Sequence, residues 1–212
     1  MRLDGLSFAF LSHAHGDHCG GLPAVARANP GMRVYVPAGA ARCVPEGLKA
    51  AEVEEPAELA PDFLSTGTIR SFPLDEQSAV VRVGGGNALL VGCSHPGIGK
   101  IAELARSRFG EVFFVIGGFH QPSEGQLQRV FSVAKFLAPA HCSGEEAKRR
   151  TRELGERYVE VRTGTSIILQ EGEKPTVIRP RALAPALPAP QQALAASTLL
   201  LALFGLCPSA GC

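Results

Sequence analysis

The feature that most constrains this chain is a ten-residue string near its start, Ser12-His13-Ala14-His15-Gly16-Asp17-His18-Cys19-Gly20-Gly21, whose first residue closes an apolar run, residues 6–12. Three imidazoles and one carboxylate within six residues are too many polar, titratable groups for a core element. The run ahead of them reads as a buried strand, so they fall on the loop leaving it. His13 and His15, two apart, can converge on one ion in a turning backbone, and Asp17 and His18 then point toward a second. Imidazole with carboxylate is a donor set for zinc, manganese or iron.

The other histidines repeat the pattern. His95 stands in Cys-Ser-His-Pro-Gly, His120 in Gly-Gly-Phe-His and His141 in Ala-His-Cys-Ser-Gly, each following an apolar run. All six histidines of the 212 residues thus lie in loop-like strings at the ends of expected strands.

Expected elements run as follows. Helices are read over 22–28, 38–48, 98–108, 124–136 and 144–154, and strands over 33–36, 68–72, 112–116 and 166–170. Residues 52–64 read as loop with short extended pieces. Residues 79–83 and 88–92 are paired apolar runs joined by Gly84-Gly85-Gly86-Asn87, a hairpin signal. Hairpins followed by strand–helix alternation indicate a layered α/β protein. The domain organisation expected is one domain over 1–171, a Pro/Ala-rich linker over 172–192 and an apolar tail over 193–212. The tail carries a 15-residue run without charge, short of the roughly 20 apolar residues of a membrane span, so membrane contact is not expected.

Lys+Arg 21 against Asp+Glu 20 gives a net charge of +1, which offers nothing to nucleic acid. The six cysteines include no C-x-x-C pair, and Cys19, Cys93 and Cys142 lie next to or two residues from His18, His95 and His141. They read as reduced cytoplasmic thiols lining or supporting a site.

His13, His15, Asp17 and His18 match the H-x-H-x-D-H signature of the metallo-β-lactamase superfamily residue by residue, and the sequence resembles that superfamily. The strings Glu54-Glu55-Pro56-Ala57-Glu58-Leu59, Ser65-Thr66-Gly67, Asp75-Glu76-Gln77-Ser78, Gly92-Cys93-Ser94-His95-Pro96-Gly97, Ile116-Gly117-Gly118-Phe119-His120 and His141-Cys142-Ser143-Gly144 narrow it. They are similar to the 7,8-dihydropterin-6-methyl-4-(β-D-ribofuranosyl)aminobenzene-5'-phosphate synthase-like proteins. The resemblance covers roughly residues 6–170.

The resemblance implies an α/β fold, the αββα metallo-β-lactamase sandwich, with one or two divalent ions at its edge. Zinc stands first among these, with manganese or iron as alternatives. The metal ligands it implies are His13, His15, Asp17, His18, His95 and His141. Either Cys93 or His95 can occupy the place where the superfamily commonly has a bridging Asp; His95 is favoured as ligand, with Cys93 behind it. Asp75 and Glu76 are candidates to orient a ligand histidine, or simply a solvated turn. His120 reads as a substrate-side acid, base or phosphate donor, as a ligand, or as structural. Lys100 is a solvated helix charge or a phosphate contact. Asp17 and His120 are the candidate catalytic residues, and Gly117 and Gly118 are expected where backbones approach closely.

The activity implied is metal-dependent hydrolysis of an ester, lactone or phosphoester of a small-molecule substrate, phosphorylated or not. The alternatives are a dihydropterin–arylamine transferase displacing pyrophosphate and a truncated, non-catalytic metal-binding remnant. The last arises because only twelve residues precede His13, whereas the family carries several strands there, so the sandwich is expected with its N-terminal strands missing. Gly16 stands where the subfamily has Tyr. A homo-oligomer is compatible with everything above.

Overall fold

The apolar run ahead of the histidine string folds as a strand of only three residues, β1 (Phe8–Phe10), in the computed structural model, which describes residues 2–170 and 173–178. Its side chains are half-buried rather than fully so. The string beyond it is not all loop: a one-turn helix, α1 (Gly16–Cys19), forms within it, because His15 closes the first turn by accepting from the His18 and Cys19 amides. One turn is too short to leave a periodic signal in sequence.

Helix α2 (Leu22–Ala28) and strand β2 (Arg33–Val36) fall where expected. The helix expected over 38–48 is reduced to a single 3-10 turn at Ala41–Cys43. Pro37 and Pro45 with Gly39 and Gly47, both at positive φ, bracket that turn and stop propagation. Strand β3 (Lys49–Glu52) pairs parallel with β2, which pairs parallel with β1, giving a three-stranded sheet. Leu11, Leu22, Met32, Val34, Val36 and Ala40 form its core against α2.

Strands β4 (Ala57–Ala60), β5 (Phe63–Ser65), β6 (Ala79–Val83) and β7 (Gly86–Val91) form an antiparallel run. Val83 faces Gly86 across the β6–β7 hairpin, so its turn is Gly84-Gly85 alone. Asn87, read as turn, is buried in β7 and donates to the carbonyls of Phe109 and Glu111 at 3.0 Å each. No strand forms over 68–72; Ile69 makes one isolated bridge to Glu76, and Asp75 folds back onto Arg70 and the Ser71 amide.

Helix α3 (Ile98–Phe109) returns the chain to β8 (Val112–Gly118), and helix α4 (Glu124–Val133) to β9 (Phe136–Ala140). Both crossovers make parallel pairs, completing a six-stranded sheet in the order β4-β5-β6-β7-β8-β9. α4 ends before 136, the expected limit, because Ala134 turns extended and Arg157 takes the carbonyls of Phe131, Ala134 and Lys135. Val80, Leu89, Val115 and Leu137 of the sheet pack on Ile98, Ile101, Leu127 and Val130 of the two helices.

Helix α5 (Gly144–Arg152) is followed by the hairpin β10 (Ser166–Ile168) and β11 (Thr176–Ile178). A strand at β10 is expected from the sequence; β11 lies inside the stretch read as linker, of which residues 172 and 179–192, with the tail over 193–212, fall outside the described residues. Among the described residues no helix is long and apolar enough to cross a membrane.

Two features join the sheets at one corner. The Phe8 and Phe63 rings meet edge-on at 5.1 Å. The Gln77 side chain donates to Leu11 O at 2.9 Å while its amide donates to Ser12 O at 2.9 Å. This corner fixes the end of β1 against the ends of the parallel strands. In those strands Val91 is in register with Gly117, and Gly118 with Ala140. The loops after β1, β7, β8 and β9 therefore leave side by side. Such carboxyl ends of parallel strands are where open α/β sheets place ligands.

Candidate metal centre

Those four loops bring five of the six histidines together with Asp17 and two cysteines. Potential ligand atoms within 4.8 Å of one another form four overlapping triads: His13/His15/His95, His13/His18/Cys93, Cys93/His141/Cys142 and Asp17/His18/His141. The expected ligands thus divide into two sets on either side of Cys93.

The first side is built from buried parts. His13 is fully buried, with Nδ1 3.0 Å from Ser12 Oγ and Nε2 3.2 Å from His15 Nδ1. The ring of His95 stacks edge-on to His13 at 4.6 Å and to His15 at 4.9 Å. Its Nδ1 lies 2.9 Å from Glu76 Oε2. Glu76 is fully buried and also accepts from the backbone amides of Cys93, Ser94 and His95, each at 2.9 Å. One carboxylate therefore sets both the loop and the ring, a common arrangement behind a metal-ligating histidine. Burial pushes the Glu76 carboxyl up, but the His95 ring, His13 and the amide donors outweigh it and hold it near 2. Burial holds His13 at about 3, so its imidazole is neutral and has a lone pair at physiological pH.

The second side is more open. Asp17 Oδ2 lies 3.1 Å from His141 Nε2 and 3.4 Å from His18 Nε2, and the two Nε2 atoms are 3.2 Å apart. Burial lowers His18; for Asp17 burial works upward, but His18 and its other neighbours bring the carboxyl below its ordinary value. Cys93 Sγ is 3.3 Å from His18 Nε2. The Cys142 thiol donates to the Cys93 carbonyl at 3.6 Å. The closeness of the two thiols, with burial, raises Cys93, and the same neighbour together with His120 and His141 lowers Cys142 to about 5.

Close packing demands the small residues at these strand ends. A Cβ on Gly92 would collide with the Ser12 side chain, and one on Gly117, at φ +135°, with Val91 O. Of the five non-glycine residues at positive φ among those described, Ser94, His120, Gln121 and His141 all lie on the site loops. Backbone held in this region is stored where the surroundings over-determine it, and functional sites are its usual home.

Two expectations need correction or refinement. Asp75 does not orient a histidine: its carboxylate is paired with Arg70 at 2.6 Å, because it points away from the face that buries its neighbour Glu76. His120 joins none of the four triads; it is exposed, with its ring 4.6 Å from that of His95. Sequence reasoning missed Ser12, whose hydroxyl lies 3.0 Å from His13 Nδ1 and 3.5 Å from His18 Nδ1. Its only signal is adjacency to His13.

The residues fit a divalent metal. His95 Nε2 is buried, faces the His13 and His15 rings and has no hydrogen-bond partner, a costly state for a polar atom. A cation there would satisfy it. Imidazole pairs about 3.2 Å apart are also close to the roughly 3.5 Å kept by two donors on one tetrahedral ion.

Both the sequence and the fold are similar to those of known proteins. The profile of the metallo-beta-lactamase superfamily matches residues 2–132. An uncharacterized protein of Methanocaldococcus jannaschii is 26% identical over 191 residues, spanning 71% of this chain and 74% of its own. Among solved structures, Tm1679, a metal-dependent hydrolase of the beta-lactamase superfamily, superposes with a TM-score of 0.58 at 23% identity, covering 72% of this chain and 75% of that one. The metallo-beta-lactamase fold protein YhfI from Bacillus subtilis gives 0.51 at 11% identity, covering 73% of each. Both structural likenesses speak to the fold.

Proposed function

The chain belongs to the metallo-β-lactamase superfamily, and from that premise we propose that it is a metal-dependent hydrolase acting on an ester, lactone or phosphoester of a small molecule. The observation that carries this reading is the double set of donors, the first of which includes the buried, partnerless His95 Nε2. His13, His15 and His95 would hold one divalent ion, and Asp17, His18 and His141 a second, with zinc the first choice for so many imidazoles. Bound there, such ions supply hydroxide at neutral pH and positive charge for a developing oxyanion.

The chain's own groups have distinct tasks. Burial keeps His13 and His18 neutral, so their nitrogens are available without proton release. Glu76 fixes the His95 ring by its 2.9 Å contact with Nδ1, leaving Nε2 to face inward. Asp17, already ionised, holds a proton-accepting oxygen beside His141. His120, exposed beside His95, is placed to pass a proton to a leaving group on the substrate side.

We also propose membership of the dihydropterin synthase-like group. The strings that carry that resemblance supply Glu76, Cys93, His95, His120, His141 and Cys142, all of which lie at or beside this cluster. The four cysteines found as free thiols suit a cytoplasmic location.

The test is a panel of ester, lactone and phosphodiester substrates offered to protein stripped by chelator and then reloaded with zinc or manganese. Turnover that vanishes on stripping, returns on reloading and is lost in His13→Ala supports the reading. Reloaded protein that retains its ions and hydrolyses none of the three classes would defeat it.

A further inference from the structure

The end of the three-stranded sheet away from the histidine cluster carries a charge pattern of its own. We propose that the first residues of β1, β2 and β3 form an oxyanion site there, taking a phosphate group either free or carried on a small molecule. The site shares no residue with the metal centre, so the two stand or fall separately.

One row across the sheet carries the proposal. Phe8, Arg33 and Lys49 are in register on the three parallel strands, so their side chains share one face on strands about 4.8 Å apart. Two like charges are thereby set side by side, which is unfavourable until an anion lies between them. Among the described residues neither Arg33 nor Lys49 makes an ion pair. The cleft beside them holds about 310 Å³, the lower end of the range for small-ligand sites, and no carboxylate lines it.

Arg33 is also held in position. Its Nη1 donates to Tyr35 Oη at 3.3 Å, and its guanidinium carbon lies 5.8 Å from the centre of the Tyr35 ring. Tyr35 is fixed in turn, because its hydroxyl donates to Leu59 O at 3.4 Å and its ring meets Phe8 edge-on at 5.5 Å. The contact with Tyr35 uses one N–H of the guanidinium fork. The other N–H groups and the Lys49 ammonium are left for the oxygens of a phosphate, which a planar fork with a point charge beside it suits well. Phe8 and Ser7, which line the same cleft, offer an apolar wall and a hydroxyl to whatever carries the phosphate.

The sequence supplies the reporter. The chain has no tryptophan and two tyrosines, so Tyr158→Phe leaves Tyr35 as its sole intrinsic fluorophore. The zinc-loaded, full-length Tyr158→Phe chain is titrated at constant ionic strength with inorganic phosphate and with butylphosphonate, which resists hydrolysis. A saturable change in Tyr35 emission is expected. Adding Arg33→Gln and Lys49→Met should raise its midpoint about tenfold or more, the loss of at least one hydrogen bond to a charged group. Both side chains are exposed, so the fold should survive. Thermal unfolding gives the second readout: phosphate should raise the midpoint of the parent chain more than that of the Arg33→Gln/Lys49→Met chain. Tighter binding of butylphosphonate supports the site with a small phosphorylated molecule as ligand, and equal binding supports it with the free ion. An emission change that never saturates would overturn the proposal, as would a binding midpoint unmoved by the two substitutions, which would put the phosphate on the metal ions or elsewhere.

Discussion

The two sides of the histidine cluster are held in different ways. His13 and His95 are fixed from behind: His13 is buried against Ser12, and His95 is gripped by a carboxylate that also ties down three consecutive amides. Asp17 and His18 ride on a one-turn helix, and His141 on a 3-10 turn at positive φ. Their contacts are chiefly to one another. The first side is thus organised by the fold, whereas the second gains its order from whatever bridges Asp17, His18 and His141. The lesson is that one short string can present both donors held by the fold and donors held chiefly by one another, because only the first set packs on a ring that a buried carboxylate fixes.

The most severe way to break this asymmetry is Glu76→Ala. It strands the amides of Cys93, Ser94 and His95 and the His95 ring around a cavity. Loss of about 3–5 kcal/mol is expected in urea unfolding of the metal-free chain, the usual cost of breaking a buried charged network. A loss below about 1 kcal/mol, the level of an exposed pair, would show that Glu76 does not organise the first side.

Acid should act through the same residues. His13 titrates near 3 when folded against 6.5 when unfolded, and Glu76 near 2 against 4.5. In both cases the unfolded chain holds the proton through the intervening range, so folding stability rises with pH there. The metal-free chain should lose stability as pH falls from 6.5, and more steeply below 4.5. Urea midpoints check this: a profile flat between pH 6.5 and 4.5 would contradict the buried neutral His13, and one flat below 4.5 the buried ionised Glu76.

Subtler variants separate the sides. Glu76→Gln preserves shape and removes charge, so affinity for the more tightly held ion should fall about 10- to 100-fold, as for other partners behind metal ligands. Competition with a chromophoric chelator reads this out. His141→Ala should abolish the weaker binding event, leave the tighter one within about threefold and shift unfolding by less than about 1 kcal/mol, since His141 is half-buried and its loss opens no core cavity. The smallest effect belongs to Asp75→Ala. Its surface pair with Arg70 is worth about 0.2–1 kcal/mol and touches neither ion.

The contrast between Asp75 and Glu76 also marks the limit of what the sequence could tell. Chemistry-bearing strings were legible because histidine is scarce and clusters behind apolar runs; α2 and β2 were legible to the residue because their patterns are uninterrupted. Which of two adjacent acids faces inward depends on the phase of a segment that makes a single bridge, and phase is set by tertiary contacts. The same holds for the hydrogen bond from the Cys142 thiol to the Cys93 carbonyl, 49 residues apart, which only the shared register of β7, β8 and β9 reveals. Residues 38–48 failed as a helix because the Pro and Gly punctuation outweighs apolar spacing.

The central claim is that one fold-imposed set of donors and one ion-organised set share this corner. Metal content of the full-length chain, reconstituted with zinc and dialysed, tests it most directly. About two ions per chain are expected, the number in a paired hydrolytic site, falling to about one in His141→Ala. Less than one ion retained by the unmodified chain, or unchanged content when His13 and His95 are both replaced by alanine, would overturn it.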